Sequence, residues 1–248
     1  MEPLNAVHDL PPRPAEYALV ATDGSQIDVE RHGMAACYVI NIGRVYLRYG
    51  ARPQARLSSR PTLYYRDEDL YLSDGVRRVA IEGNYLSARL DVDEGEALAD
   101  LADEFLLLRG DTPALALQDG TLVRWTLAGA EKFVQEHFLR RYLAYLDRMR
   151  ERGIPVASYI SRPRAPEVAG TIRLMLCPDV DVLNEQGARC NDCSDMAAGR
   201  TPSCMICQGL TDADILADML DEGQRGPLFA SMSRINIERY GPHLIHFF

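Results

Sequence analysis

Apolar and polar positions along the chain predict a β-sheet followed by alternating helices and strands. Three segments near the start are dense in β-branched and aromatic residues and are separated by Gly and Pro: the run from Tyr17 into Asp23, "MAACYVINIGRVYLRYG" and "PTLYYRDEDLYL". Successive strands joined by short turns favour antiparallel pairing. The sheet is therefore predicted to begin with three antiparallel strands.

Helical spacing replaces this pattern at Asp91. In "DVDEGEALADLADEFLLL" apolar residues recur at helical intervals, and acidic residues occupy the predicted first turn, where they suit the helix dipole. A short apolar strand ending at Asp119, a helix over about residues 130 to 152 and a strand in "IPVASYISRPR" follow. Helical crossovers imply parallel additions to the sheet. The predicted fold class is α/β: a mixed sheet, antiparallel in its first three strands and then parallel, flanked by helices.

The remainder of the chain is less regular. Residues 177–209 are polar, contain Gly and several Cys, and lack periodicity, so we interpret them as a Cys-rich insertion within a single domain spanning residues 1–248. After them, "LTDADILADMLDEG" predicts a short helix with Thr211 as its N-cap and Gly223 as its C-terminal stop. The final "HLIHFF" is strand-like.

Composition and charge narrow the class of protein. A hydrophobic content of 47% and a charged content of 25% are typical of globular proteins. The longest apolar runs are far shorter than the roughly 20 residues of a membrane-spanning helix, and the start lacks a basic-then-apolar signal pattern. We therefore expect a cytoplasmic protein that does not associate with membranes. The net charge of -9 repels polyanions, so a nucleic-acid ligand needs a local basic groove, bound cations or a basic partner.

Two apolar runs end in the same dipeptide, with Asp23 in "LVATDGS" and Asp119 in "LALQDGT". If both strands are central and adjacent, their carboxylates lie side by side and can share Mg²⁺ or Mn²⁺. The alternative is that Asp-Gly after a strand only forms a turn. The helix near Asp91 offers Glu94 and Glu96 as a third carboxylate, although acids in a first helical turn also serve the helix dipole alone.

A cluster of cysteines indicates a second kind of metal site. Cys190 and Cys193 form one C-x-x-C pair, and Cys204 and Cys207 form another ten residues later, which is typical of a tetrahedral Zn²⁺ site. An iron-sulfur cluster is the competing interpretation, because Cys177 supplies a further thiolate. Inert thiols or a disulfide pair are the third.

Five segments in order, "ATDGSQ", "EALADLADE" with "ALALQDGTLVRW", "VASYISRPRAPEV", "GQRGPLFASMSRI" and "YGPHLIHFF", resemble the NurA family of DNA repair nucleases. The likeness runs from about Tyr17 to Phe248. It implies a ribonuclease H-like fold and a Mn²⁺-dependent nuclease acting on DNA ends, with exonuclease and single-strand endonuclease activity. It also implies a homodimer that works with HerA, a hexameric DNA translocase, in end resection and double-strand break repair.

The resemblance also implies roles for individual residues. Asp23 matches the first-strand metal aspartate of the family, and Asp119 matches the aspartate of a later strand. Glu96 best fits the acidic helix position between them, with Glu94 as a register-shifted alternative. Arg162 and Arg164, at the end of the next predicted strand, are candidates for contacts to DNA phosphates, although a solvated strand-end arginine explains them equally well.

The resemblance is incomplete at the C-terminal end. Family members continue past the "FF" strand into a further strand and a helix that add a tyrosine and a histidine to the active site. The sequence stops at Phe248, so we expect the chain to lack those two residues. A non-catalytic subunit that binds the translocase is therefore the alternative function, and a ribonuclease H-like enzyme acting on RNA is the third.

Overall fold

A computed structural model of the protein describes residues 2–28, 36–106, 112–161, 163–177, 179 and 193–248. Contacts divide the chain into two compact units. The first, here called the sheet unit, comprises Pro12–Ile160 and Met232–Ile245. The second, called the small unit, comprises Met1–Pro11, Ser161–Ser231 and His246–Phe248. That the chain folds as a single domain stays a prediction.

The helices and strands of both units are as follows. The strands are, in chain order, β1 (His8–Asp9), β2 (Tyr17–Ile27), β3 (Tyr38–Tyr49), β4 (Gln54–Tyr64), β5 (Tyr71–Ser73), β6 (Arg78–Ala80), β7 (Ala114–Asp119), β8 (Val156–Tyr159), β9 (Gln224–Arg225), β10 (Phe229–Ala230) and β11 (His246–Phe247). The α-helices are α1 (Asp67–Leu70), α2 (Asn84–Leu106), α3 (Lys132–Glu151), α4 (Glu167–Met175), α5 (Ser194–Ala197), α6 (Asp212–Ala217) and α7 (Arg234–Arg239). Short 3-10 helices span Trp125–Leu127, Ser203–Cys207 and Gly241–His243.

The sheet unit is built on five strands in the order β4-β3-β2-β7-β8. β4, β3 and β2 are antiparallel to one another, and β7 and β8 are added in parallel beside β2. This order and direction confirm the predicted mixed, ribonuclease H-like sheet. They also place β2, which carries Asp23, directly beside β7, which carries Asp119.

One face of the sheet packs against α2 and α3. Side chains alternate along β2, so that Ala18, Val20 and Thr22 are buried. Ala18 and Val20 join a core that contains Leu98 of α2 and Phe138 of α3. The intervening side chains point to the opposite face, here called the far face. Residues that follow one another along β2 therefore belong to two different environments.

Two element boundaries of the sheet unit differ clearly from the prediction. α2 begins at Asn84 rather than near Asp91, because Leu86 is fully buried and the preceding turn extends the helix toward its N-terminus. Asp91 and Glu94 consequently lie beyond the first turn, where the helix dipole no longer explains them. The third predicted strand ends at Tyr64, and its acidic continuation forms α1.

The small unit contains the irregular part of the chain. Thr211 caps α6 as predicted and accepts a hydrogen bond from the backbone N–H of Asp214, but the helix ends at Ala217, before Gly223. The carboxylate of Asp212 is buried and accepts hydrogen bonds from the first backbone N–H groups of α4, at 2.9 to 3.0 Å. Asp212 therefore ties α6 to the start of α4. No helix within the described ranges is long and apolar enough to cross a membrane.

Candidate metal-binding site on the sheet

Asp23 and Asp119 are neighbours across two parallel strands. The register pairs Thr22 with Gln118, and the two aspartates are the next residue on each strand. Adjacent strands lie about 4.8 Å apart, so the two carboxylates start from neighbouring backbone positions. Both are exposed and line one concavity of about 580 Å³. The structure thus brings together the two aspartates that the sequence singles out.

The carboxylates of Asp23 and Asp119 are not used by the fold. Neither forms a hydrogen bond or an ion pair with another residue in the part of the chain that the structure describes. Strand alternation places both on the far face, since Thr22 and Gln118 before them are buried toward the helices. Two hard oxygen donors that share one concavity and lack a partner suit a divalent cation such as Mn²⁺ or Mg²⁺.

The two Asp-Gly steps have different backbone settings. β2 continues through Asp23, which is paired with Gly43 of β3, as far as Ile27, so the alternative of a turn at this position does not hold. β7 ends at Asp119, and Gly120 has a φ of +70°, as a turn requires. Turn formation therefore explains Asp119 and leaves Asp23 without a structural role in a turn.

Gly24 allows α2 to approach β2 next to Asp23. A Cβ atom on Gly24 would lie 2.5 Å from Leu90 Cδ1 and 2.6 Å from Glu94 Oε1. Thr22 adds a buried hydrogen bond from its hydroxyl to the Glu94 carbonyl oxygen, at 3.1 Å. The Glu94 side chain, only 8% exposed, is consequently held against the backbone of β2.

Burial, together with the negative charges of Asp91 and Asp23, raises the pKa of Glu94 from 4.5 to about 7. The Gln118 amide and the Gly24 backbone N–H favour the carboxylate and partly oppose this shift. Ionisation of Glu94 is costly because the residue is buried and because Asp91 and Asp23 are close to it, and a nearby positive charge lowers that cost. The residues around Asp23 therefore fit a cation.

Glu96 has a different environment from Glu94. Its carboxylate accepts two hydrogen bonds from the Arg141 guanidinium of α3, at 2.8 and 2.9 Å. Two residues along a helix correspond to a rotation of about 200°, so Glu94 and Glu96 point in nearly opposite directions. Of the two candidates, the structure brings Glu94 to Asp23 and places Glu96 between the two helices.

A buried polar network supports the site from the helix side. Gln118 Oε1 accepts hydrogen bonds from the hydroxyls of Tyr145 and Tyr142, at 2.8 and 3.2 Å. Arg124 forms an ion pair with Asp91 at 2.7 Å and lies over the Tyr142 ring. Sequence reasoning missed these residues. Its one usable signal was Gln118, a polar residue within an apolar strand directly before Asp119.

The other predicted site residues lie in the small unit or outside the described residues. Cys190 and Arg162 fall outside them, and Arg164 is exposed. Cys193 is buried, Cys204 and Cys207 are partly exposed, and all three are free thiols. Within the described ranges, no three or more His, Cys, Asp or Glu side chains are arranged to hold one metal ion. Neither the predicted cysteine site nor a three-carboxylate site is thus formed by the described residues.

One family model matches most of the chain. The model of the NurA domain matches residues 17–248. No curated protein matches the chain. Among solved structures, NurA with manganese is 16% identical over 66% of this chain and 39% of that chain, with a TM-score of 0.28. NurA bound to dAMP and manganese is 16% identical over 88% and 50% of the two chains, with a TM-score of 0.25.

LC9-RNase H1, a type 1 RNase H with the type 2 active-site motif, is also similar. It is 13% identical over 78% of each chain, with a TM-score of 0.28. The chain spans only about half the length, or less, of the NurA structures that it matches.

Proposed function

Because the chain belongs to the NurA family, we propose that it is a metal-dependent DNA nuclease whose divalent cation is held by Asp23 and Asp119. One observation carries the proposal: two carboxylates without partners among the described residues line one concavity from adjacent parallel strands. Mn²⁺ is the favoured ion, because similar NurA structures contain manganese. Mg²⁺ accepts the same oxygen ligands.

Each residue of the site has a distinct part in this proposal. Asp23 and Asp119 supply the oxygen ligands. When bound, a divalent cation stabilises the charge on a phosphodiester and lowers the pKa of a water. Glu94 accepts the Gly24 backbone N–H and so fixes the strand on which Asp23 sits. We assign this supporting role to Glu94 rather than Glu96, since Arg141 already neutralises Glu96.

The proposed substrate is DNA, cut as an exonuclease and as a single-strand endonuclease. A solved NurA structure is bound to dAMP and manganese, which supports a deoxynucleotide ligand. The net charge of -9 disfavours unaided binding to a polyanion. We therefore propose that bound cations, a HerA-like hexameric translocase and a second copy of the chain assist DNA binding during end resection in the cytoplasm. Arg164 remains a candidate for a phosphate contact.

The alternative function is a non-catalytic subunit that binds the translocase. It is favoured by one observation: the described residues bring only two acids to the concavity, with Glu94 on the helix side of the sheet. Zinc, or an iron-sulfur cluster, at Cys190, Cys193, Cys204 and Cys207 is compatible with either function. Elemental analysis for zinc and iron tests it.

Cleavage of labelled single-stranded DNA in Mn²⁺ tests the proposed function. The variants are Asp23→Asn and Asp119→Asn, with Asp28→Asn as a matched control, since Asp28 is an exposed aspartate just beyond β2 and outside the concavity. We expect the wild type and Asp28→Asn to cleave and the other two to lose activity. Equal activity in all four proteins would remove the assignment. Capture of the ATPase without cleavage would favour the alternative, and competition with RNA reports substrate preference.

A further inference from the structure

Tyr159 stands at the edge of the proposed site with its side chain in solvent. It is the last residue of β8 and the register partner of Asp119. Its side chain lines the same concavity as Asp23 and Asp119, and the residue is 75% exposed. A large aromatic ring beside two carboxylates is an apolar surface that the fold itself does not bury.

The other tyrosines of the sheet differ from Tyr159. Tyr17 stacks on Tyr49 with ring centroids 4.6 Å apart, and Tyr38 stacks on Tyr64 at 4.8 Å. Within the described residues, no aromatic ring stacks on Tyr159. The stacked tyrosines therefore serve cross-strand packing, whereas the ring of Tyr159 is available to a ligand.

The concavity has room for a nucleotide between Tyr159 at one edge and small residues at the other. Ala21 and Ser25 of β2 and Gly43 of β3 line its part around Asp23, and all three have small side chains or none. Neighbouring strands are about 4.8 Å apart, so the ring of Tyr159 lies within the span of one nucleotide from the carboxylate of Asp119. A nucleotide whose base covers the ring therefore has its phosphate within reach of Asp119, with Asp23 one strand further along the sheet.

Charge strengthens this argument. A protein with a net charge of -9 gains little from general attraction to phosphates. Stacking of a nucleobase on an aromatic side chain does not depend on net charge, and it contributes about 5- to 150-fold in affinity per base. For an acidic protein, stacking therefore adds a contribution to the binding of a single strand that its net charge does not weaken.

We propose that Tyr159 stacks on the unpaired base of the nucleotide next to the scissile phosphate. The proposal rests on the proposed function, and it specifies the substrate as single-stranded or frayed DNA. A base within a duplex already has both faces stacked on its neighbours and cannot cover the tyrosine. Tyr159 therefore selects unpaired DNA and sets where along the strand the phosphate meets Asp23 and Asp119.

Kinetics with three variants test the proposal. Tyr159→Ala removes the ring, Tyr159→Phe keeps it without the hydroxyl, and Tyr65→Ala is the control, because Tyr65 is 59% exposed and lies outside the concavity. With a short single strand and Mn²⁺, we expect Tyr159→Ala to raise KM by about 10-fold or more. We expect Tyr159→Phe and Tyr65→Ala to resemble the wild type.

An abasic nucleotide placed at each position in turn shows whether the contact is with a base. When the abasic nucleotide is at one position next to the cleaved bond, the KM of the wild type should rise by about as much as Tyr159→Ala raises KM with intact DNA. With the abasic nucleotide at that position, the KM of Tyr159→Ala should not rise further. Equal losses for both proteins at every position, or a Phe variant as impaired as the Ala variant, would overturn the proposal.

Binding without cleavage separates this proposal from the nuclease assignment. The protein for this measurement carries Asp23→Asn. When it binds a single strand that contains 2-aminopurine, the fluorescence of 2-aminopurine should be quenched. Adding Tyr159→Ala should remove this quenching at one position of the 2-aminopurine along the strand. If the wild type does not cut DNA but this positional quenching is present, the nuclease proposal fails and the stacking proposal stands. Quenching unchanged by Tyr159→Ala contradicts the stacking proposal whatever the activity.

Discussion

Asp23-Gly24 and Asp119-Gly120 are the same dipeptide on neighbouring strands, but the two glycines are needed for different reasons. Gly24 lies inside β2, where the absence of a Cβ lets Leu90 and Glu94 approach the backbone. Gly120 has a φ of +70° and open space around it. A turn accounts for Asp119. At Asp23 the chain makes no turn, so a carboxylate in the middle of a strand needs a different explanation.

The residues beside the two aspartates differ as well. Next to Asp23, the buried acid Glu94 lies against the strand and its pKa is about 7. Next to Asp119, the neutral Gln118 accepts hydrogen bonds from two buried tyrosines. The comparison teaches that negative charge is unfavourable at the buried acid next to Asp23, which a cation would offset, whereas the buried residue before Asp119 carries no charge.

The largest expected effect is on the pH dependence of stability at Glu94. The folded-state pKa of about 7 lies above the ordinary 4.5, so the folded protein binds this proton more tightly than the unfolded chain. The resulting stabilisation is fully present below about pH 4.5 and is lost as the pH rises to about 7. Its size is about 3 kcal/mol.

The variant Glu94→Gln should remove that dependence. Urea unfolding in EDTA should show similar stability for wild type and variant at pH 5, and a more stable variant at pH 8. Glu96→Gln is the matched control on the same helix and should not reproduce the pH-dependent gain. Parallel curves for the wild type and Glu94→Gln from pH 5 to pH 8 would show that Glu94 does not carry the buried charge.

The next largest changes in stability are expected when the two glycines are replaced by Ala and by Asn. At position 24 the cost is steric, so Gly24→Ala should destabilise by about 1 to 3 kcal/mol and Gly24→Asn by more. At position 120 the cost is backbone strain of about 1 kcal/mol for Ala. Asn tolerates a positive φ, so Gly120→Asn should cost less than Gly120→Ala.

The order of Ala and Asn is therefore expected to invert between the two positions. Denaturant midpoints of the four variants measure it directly. If Asn is the better substitute at both positions, glycine is required at position 24 by the backbone conformation. The close approach of α2 to β2 beside Asp23 would then not be the reason for glycine.

Effects of about 1 to 2 kcal/mol, smaller than that at Glu94, are expected at the residues that precede the aspartates. Gln118→Leu leaves the hydroxyls of Tyr142 and Tyr145 without their acceptor and should cost about 2 kcal/mol. Thr22→Val removes one hydrogen bond to the Glu94 carbonyl oxygen and should cost about 1 kcal/mol. Thermal or urea unfolding ranks the two. A larger loss of stability for Thr22→Val than for Gln118→Leu would contradict this order.

Local patterns predicted the mixed sheet, because apolar runs are properties of short segments, but they placed Asp23 at the end of a strand that continues to Ile27. The choice between Glu94 and Glu96 depended on the start of α2, which burial of Leu86 moves to Asn84. Tyr159 was not singled out, because its place beside Asp119 depends on the register of β7 and β8. Features set by register and by helix phase are not readable from spacing along the chain.

Titration with Mn²⁺, followed by electron paramagnetic resonance or calorimetry, tests most directly whether Asp23 and Asp119 form one metal site. The proteins compared are the wild type, Asp23→Asn, Asp119→Asn and the control Asp28→Asn. We predict that the wild type and the control bind Mn²⁺ at one shared site and that each of the other two variants loses it. Unchanged stoichiometry and affinity in Asp23→Asn and Asp119→Asn would contradict the account.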